Sequence, residues 1–244
     1  CALPIYNWSS GQATSAINNI AAGVYTVTVT DNNGCTNSSS VNVGSIGGPT
    51  VAIASSSNVS CFGGTNGSAQ VNVSTGIGPY TYAWIPTGGN NANAINLAAG
   101  NYTVHVTDAN GCSSSASVVI AQPTQLAVAI PSTTNVLCNG TSTGSVTSVA
   151  SNGTAGYTYQ WNTVATTATI NNLAVGTYTI TATDANGCTV STSTTITQPT
   201  QLSIAIPSTT NVLCNGTSTG SVTALASNGT AGYSYQWNTG ATTS

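Results

Sequence analysis

Apolar and hydroxyl-bearing residues alternate strictly through Tyr178-Thr-Ile-Thr-Ala-Thr183. A period of two sends Tyr178, Ile180 and Ala182 to one face of a strand and the threonines to the other. The pattern recurs from Tyr25 to Thr30 and from Tyr102 to Thr107, with His105 in place of one threonine. Upstream of Tyr178, the segment Tyr157-Thr-Tyr-Gln-Trp161 puts its three aromatic rings on one face. Strands are predicted at Leu126–Ile130, ended by Pro131, and then at Ser145–Ala150 and Tyr157–Trp161. Further strands follow at Ala168–Leu173, with a short edge strand before it, and at Tyr178–Thr183 and Val190–Ile196. No helical period of 3.6 appears. Six or seven short strands spaced roughly 8–12 residues apart predict an all-β, antiparallel immunoglobulin-like β-sandwich.

The sandwich is stated more than once. NIAAGVYTVTVTDNNGC ends at Cys35, LAAGNYTVHVTDANGC at Cys112 and NLAVGTYTITATDANGC at Cys188, a period of 77 and then 76 residues. Such a period divides the 244 residues into tandem units. Residues 1–46 are the C-terminal half of a repeat, 47–122 and 123–198 are complete repeats, and 199–244 are an N-terminal half. Residues 123–168 and 199–244 differ at only seven positions, so each repeat is expected to do the same job. The linkers Ile120-Ala-Gln-Pro-Thr-Gln-Leu126 and Ile196-Thr-Gln-Pro-Thr-Gln-Leu202 are short, with one Pro and no Gly. Stiff joints of that kind predict a rod of end-to-end domains.

Charge changes the picture mainly by exclusion. There is no Lys or Arg, the only acids are Asp31, Asp108 and Asp184, and the formal net charge is -3. Without cations there is nothing to grip phosphate or an anionic bilayer, so nucleic acid and charged membrane surfaces are excluded as partners. No apolar run is long enough to span a bilayer. Low net charge with four Trp, ten Tyr and alternating β-branched residues argues against disorder. The chain lacks an initiator Met and a leader, and is expected to be a processed or excerpted piece.

In order along a repeat stand Cys-x-Gly (Cys61-Phe62-Gly63), Pro79-Tyr80-Thr81-Tyr82-Ala83-Trp84, and Leu97 through Cys112. This succession resembles the SprB-type repeat of Bacteroidota cell-surface adhesins, immunoglobulin-like or polycystic-kidney-disease-like sandwiches. The resemblance spans nearly the whole chain. It implies an extracellular, cell-surface protein working in adhesion or gliding filaments. One departure is that Gly156 and Gly232 stand where Pro79 does.

Each candidate site has a structural alternative. Asp31, Asp108 and Asp184 could bind calcium, but that ion needs six to eight oxygens, and one Asp per repeat cannot supply them. They are expected to shape hairpin turns with the following Asn-Gly. His105 should face solvent, opposite Tyr102, Val104 and Val106. With no nucleophile or orienting acid beside it, the chain is expected not to be an enzyme. Trp8, Trp84, Trp161 and Trp237 could stack sugars, but a tryptophan at a strand centre is expected in the core. Threonine rows such as Thr177, Thr179, Thr181 and Thr183 could present hydroxyls to ice or glycans, and equally suit any exposed strand. Asn101, Asn139 and Asn215 lie in glycosylation sequons. No His/Cys cluster forms a metal site, and no cofactor is expected.

Six cysteines fall on two series, Cys35/Cys112/Cys188 and Cys61/Cys138/Cys214, which indicates an oxidising, extracellular setting. Bonds within a repeat, Cys61–Cys112 and Cys138–Cys188, are the first expectation, leaving Cys35 and Cys214 to outside or inter-domain partners. Cys112–Cys138 and the neighbour-to-neighbour bond Cys61–Cys188 are the alternatives. Cys1 belongs to neither series; an excerpt boundary is expected there, with a lipidated N-terminus as the alternative. Three functions are consistent with these readings. The first is a structural and adhesive segment of an extracellular filament, with copies of itself, adjoining repeats or surface glycans as partners. The second is a subunit polymerised by strand exchange between 199–244 and 1–46, although residues 8–14 duplicate 237–243. The third is a carbohydrate- or ice-binding module.

Overall fold

The structure is a computed structural model that describes residues 5–244, so Cys1 lies outside the described residues. These residues form seventeen strands and no helix. They cluster into two compact units, one made of 5–57, 68–96 and 101–119, the other of 58–67, 97–100 and 120–244.

The second unit holds one complete repeat. Its strands are β10 (Ala127–Thr134), β11 (Gly144–Ser151), β12 (Thr158–Trp161), β13 (Thr169–Leu173), β14 (Gly176–Thr183) and β15 (Thr189–Ile196). One sheet runs β10-β11-β13 and the other β12-β14-β15, all antiparallel, the strand order of an immunoglobulin-like sandwich. Alternation dictates the core. Val146, Ile170 and Leu173 from the first sheet meet Trp161, Ile180 and Ile196 from the second, and Val136 closes one end. Thr181 lies outside this face and shares a 2.8 Å hydroxyl contact with Ser191 opposite it. Such Thr–Ser pairs stabilise neighbouring strands where no ion pair exists.

Pro131 does not end the first strand as expected. It lies inside β10, where the register shifts between Ala129 and Ser132. A bulge relieves the ladder of the N–H that proline lacks. No separate edge strand forms between β12 and β13.

In the first unit, β4 (Val51–Ser57), β5 (Gly67–Val73) and β7 (Asn93–Leu97) make one sheet, and β6 (Thr81–Ile85), β8 (Gly100–Thr107) and β9 (Ser113–Ile120) the other. Tyr102, Val104 and Val106 are buried while His105 is exposed. The same unit contains β1 (Ile5–Trp8), β2 (Gly23–Thr30) and β3 (Thr36–Val43) as a lone sheet. In the second unit, β16 (Ser203–Thr210) and β17 (Ser221–Ser227) form another lone sheet. These half-repeats therefore supply different sheets of the same sandwich. Their would-be core positions stay uncovered: Val27 and Val29 are half-buried, and Ile204 is 68% exposed.

Trp84 and Trp161 are buried, whereas Trp8 and Trp237 are only half-buried, because each of the latter faces no opposing sheet. In all four, the indole N–H donates to a carbonyl six or seven residues on: Thr14, Asn91, Thr167 or Thr243. The local loop needs no second sheet.

Candidate functional site: the joint between repeats

One cysteine of each series, the Asp184 turn and the linker 120–126 come together in one place within the second unit. The hairpin between β14 and β15 is built around Asp184. One of its carboxylate oxygens accepts the N–H groups of Asn186 and Cys188, both at 2.9 Å, and the other accepts that of Thr154, also at 2.9 Å. Gly187 takes the left-handed conformation that closes the turn (φ 83°). Asp184 is 5% exposed. The N–H of Thr154, helped by those of Cys188, Asn186 and Gly187, holds its carboxyl below the ordinary range, against burial that would raise it. The side chain is a structural anion, satisfied by backbone donors. Asp31 and Asp108 make the same pair of bonds in their own hairpins, to Asn33 and Cys35 and to Asn110 and Cys112. Among the described residues no group of His, Cys, Asp or Glu could hold a metal ion.

The partner of this hairpin is the loop 58–67. Here the expected pairing is corrected: Cys61 bonds Cys188, with Cα atoms 5.7 Å apart, while Cys35, Cys112, Cys138 and Cys214 are free. The bonds Cys61–Cys112 and Cys138–Cys188 do not form. The reason is visible in the complete repeat. The Cys138 loop is tied to the residues after β15, with the Gly140 N–H donating to Gln198 Oε1 at 2.9 Å. Cys188 sits at the other end of that eight-residue strand. A strand of that length spans roughly 27 Å, far beyond the ~7 Å Cα separation a disulfide tolerates. Cys112 and Cys138 fall in different units and are not bonded.

Polar contacts flank the bond. Asn186 Nδ2 donates to the Ser60 carbonyl and reaches Thr154 Oγ1, each at 2.9 Å. The loop itself is shaped by Asn66 Oδ1, which accepts the Ser60 N–H at 2.9 Å, and by Gly63 in the left-handed region (φ 72°). Phe62, Leu126 and Val190 lie around the joint.

The linker is part of the site, which the sequence pattern alone did not show. The Gly63 N–H donates to Gln122 Oε1 at 2.8 Å, the Val59 N–H to the Ala121 carbonyl at 2.9 Å, and the Ala121 N–H to Asn58 Oδ1 at 2.9 Å. Three residues later the Thr124 carbonyl accepts the Gly153 N–H at 3.1 Å. The linker is thus held from both sides within a few residues. Its signal was the repeated Gln-Pro-Thr, readable as a repeat but not as a clamp. The second linker repeats the scheme: Asn135 and Gly140 hold Thr197 and Gln198, and the Gly229 N–H donates to the Thr200 carbonyl.

The SprB repeat model matches residues 53–89, 130–166 and 206–242. Each window runs from the first strand of a repeat through the tryptophan loop, and residues 1–46 lie outside all three. No curated protein matches the chain. Among solved structures, the three N-terminal domains of the outer capsid protein Hoc of bacteriophage RB49 align at 18% identity, over 74% of this chain and 69% of that one, with a TM-score of 0.41. The N-terminal eight immunoglobulin domains of the Down syndrome cell adhesion molecule align at 14% identity, over 79% of this chain and 32% of that one, with a TM-score of 0.35. Domains 1–6 of the surface-layer protein SbsC align at 13%, over 93% and 44%, with a TM-score of 0.29. The chain thus spans about a third of the adhesion-molecule fragment and less than half of the surface-layer one. Strand order, period and three consecutive matches agree: the chain carries SprB repeats in tandem at 53–89, 130–166 and 206–242.

Proposed function

We propose that the chain is a structural and adhesive segment of a long bacterial cell-surface protein, giving reach by stacking β-sandwiches end to end. The observation that carries this reading is the joint. Within the second unit, a linker pinned on both sides, a disulfide and an Asn186–Ser60 hydrogen bond tie the loop 58–67 to the hairpin 184–188. Each hydrogen bond contributes about 1 kcal/mol. Closing a loop of 127 residues by a disulfide adds about 5 kcal/mol in the chain-entropy account. The work is mechanical, and its partners are adjoining repeats and the surface glycans or solids to which the filament attaches. A gliding filament of Bacteroidota type is the specific form this reading favours. A reactive centre plays no part in it: the acids shape turns and the lone histidine stands exposed on β8.

A second reading, polymerisation between copies, has one observation behind it: the described residues of 1–46 bring only β1-β2-β3, and residues 199–244 only β16-β17. Those are opposite sheets of the sandwich seen complete in 123–198. The sugar-stacking form of the third reading is overturned at Trp84 and Trp161, which are 5% and 2% exposed. Imaging of the native material discriminates between the first two. An unbranched filament with one axial repeat per 76 or 77 residues, unchanged on dilution, supports the continuous rod. Filaments that dissolve into single 244-residue chains on dilution support polymerisation, and compact particles sink both.

A further inference from the structure

Among the described residues, four cysteines have no role in the site described above, and they divide into two kinds. Cys35 and Cys112 sit in Asp-x-Asn-Gly-Cys hairpins, like Cys188. Cys138 and Cys214 sit in loops equivalent to that of Cys61. The bond that does form joins a loop cysteine to the hairpin cysteine of the next repeat. Under that stagger, Cys138 faces the hairpin of a repeat whose hairpin half the residues 199–244 do not include.

The Cys138 loop is already built as a receptor. Its Val136 N–H donates to the Thr197 carbonyl (3.0 Å), Asn135 Oδ1 accepts from Thr197 N (2.9 Å), and Gly140, at φ 75°, donates to Gln198 (2.9 Å). These are the Val59–Ala121, Asn58–Ala121 and Gly63–Gln122 bonds of the occupied loop, residue for residue. The loop differs from the Cys61 loop in being uncovered. Ser60, whose carbonyl accepts from Asn186, is half-buried; its equivalents Leu137 and Leu213 are 70% and 83% exposed. The Cys138 loop thus has the backbone bonds of the occupied loop, with a free thiol beside the exposed Leu137.

We propose that the Cys138 loop receives the Asp-x-Asn-Gly-Cys hairpin of the repeat that follows it in the same chain, so that a disulfide staggered by one repeat runs along the whole array. The proposal rests on the reading of the protein as a continuous array. Each bond converts two thiols into one disulfide, and the two protons and two electrons pass to a small-molecule disulfide such as oxidised glutathione, which leaves as two thiols. The consequence is mechanical. A covalent path then crosses each repeat through the 50 residues between its loop and hairpin cysteines, in place of the 76 of the backbone alone.

The test is the full chain extended by a second copy of residues 123–198 inserted after Gln198, refolded with oxidised and reduced glutathione. Non-reducing peptide mapping is expected to show Cys138 bonded to the inserted hairpin cysteine, alongside Cys61–Cys188, with the number of alkylatable thiols the same as in the parent chain. Cys138→Ser in the extended chain is expected to raise labelling at the inserted hairpin cysteine alone. Two additional thiols with Cys61–Cys188 intact overturn the stagger while leaving the array reading standing. A Cys138–Cys188 bond, or disulfide-linked dimers on a non-reducing gel, overturns it in favour of pairing within a repeat or between copies. Loss of Cys61–Cys188 as well removes the joint on which both the array reading and the stagger depend.

Discussion

Val164 holds a backbone conformation that its side chain opposes. Its φ is 63°, in the left-handed region, where a β-branched residue is an outlier. The equivalent positions are Gly11 (φ 87°) and Gly240 (φ 86°), which adopt it without a Cβ to clash. The turn is imposed by the tryptophan loop, in which the Trp161 N–H donates to the Ala165 carbonyl and the Val164 N–H to that of Trp161. Val164 is 82% exposed, so its side chain contributes no packing to offset the strain. Val164→Gly is expected to stabilise the 123–198 repeat by about 0.5–1 kcal/mol, after the greater freedom of glycine in the unfolded chain is subtracted. Denaturant midpoints of the two proteins check it; a fall in midpoint would show that the turn costs nothing. A second motif yields its reason only at this scale. In the segment Leu/Ile-Ala-x-Gly-x-Tyr, the Tyr178 hydroxyl donates to the Ala174 carbonyl at 3.0 Å and the Tyr25 hydroxyl to that of Ala21 at 2.9 Å, the tyrosine corner of immunoglobulin-like sandwiches. A Cβ at Gly176 would stand 3.8 Å from Tyr178 Cε2, an ordinary contact distance, so the ring does not require glycine there. The spacing was legible in the sequence; the hydrogen bond behind it was not.

At the scale of the element, the hairpin 184–188 is a carboxylate wrapped in backbone donors, and that makes it acid-sensitive in one direction only. The carboxyl pKa in the folded chain lies below its unfolded value of about 3.9. Its contribution is therefore fully present above that value and is lost as pH falls through the lower folded value. Stability of the 123–198 repeat is expected to be flat from about pH 8 to about pH 5 and to fall below about pH 4. Asp184→Asn is expected to lower stability at neutral pH and to flatten the acid limb. Unfolding midpoints measured across that range check both, and an unchanged acid limb in the variant would assign it to other groups. Most strands were legible because alternation states them directly: β14 and β15 were each predicted to within two residues. The β10 boundary was not, because whether a proline ends a strand or sits in a bulge depends on the neighbour that pairs with it.

At the scale of the molecule, the Cys61–Cys188 bond locks 127 residues out of the extensible chain. At roughly 3.4 Å per residue, that is about 430 Å of contour. Pulled from its two ends with reductant present, the chain is expected to extend about 430 Å further than when oxidised. Equal contour lengths in the two states would show that the bond is not made in solution. An array whose joints shorten the extensible chain resists being drawn out under load, as the proposed function of reach and attachment requires.

The sequence by itself determined the repeat, the two-sheet sandwich, the turn-forming role of its three aspartates and the burial side of each strand. These follow from local periodicity and turn chemistry, which need no distant partner. Only the tertiary structure decided which cysteine meets which. The six series cysteines are chemically alike and each series recurs at the same period, so spacing cannot rank their pairings. The choice follows from β15, which places the loop and the hairpin of one repeat at opposite ends of a strand, and from the linker clamp at Gln122 and Thr124, which brings the hairpin of the following repeat to the loop before it.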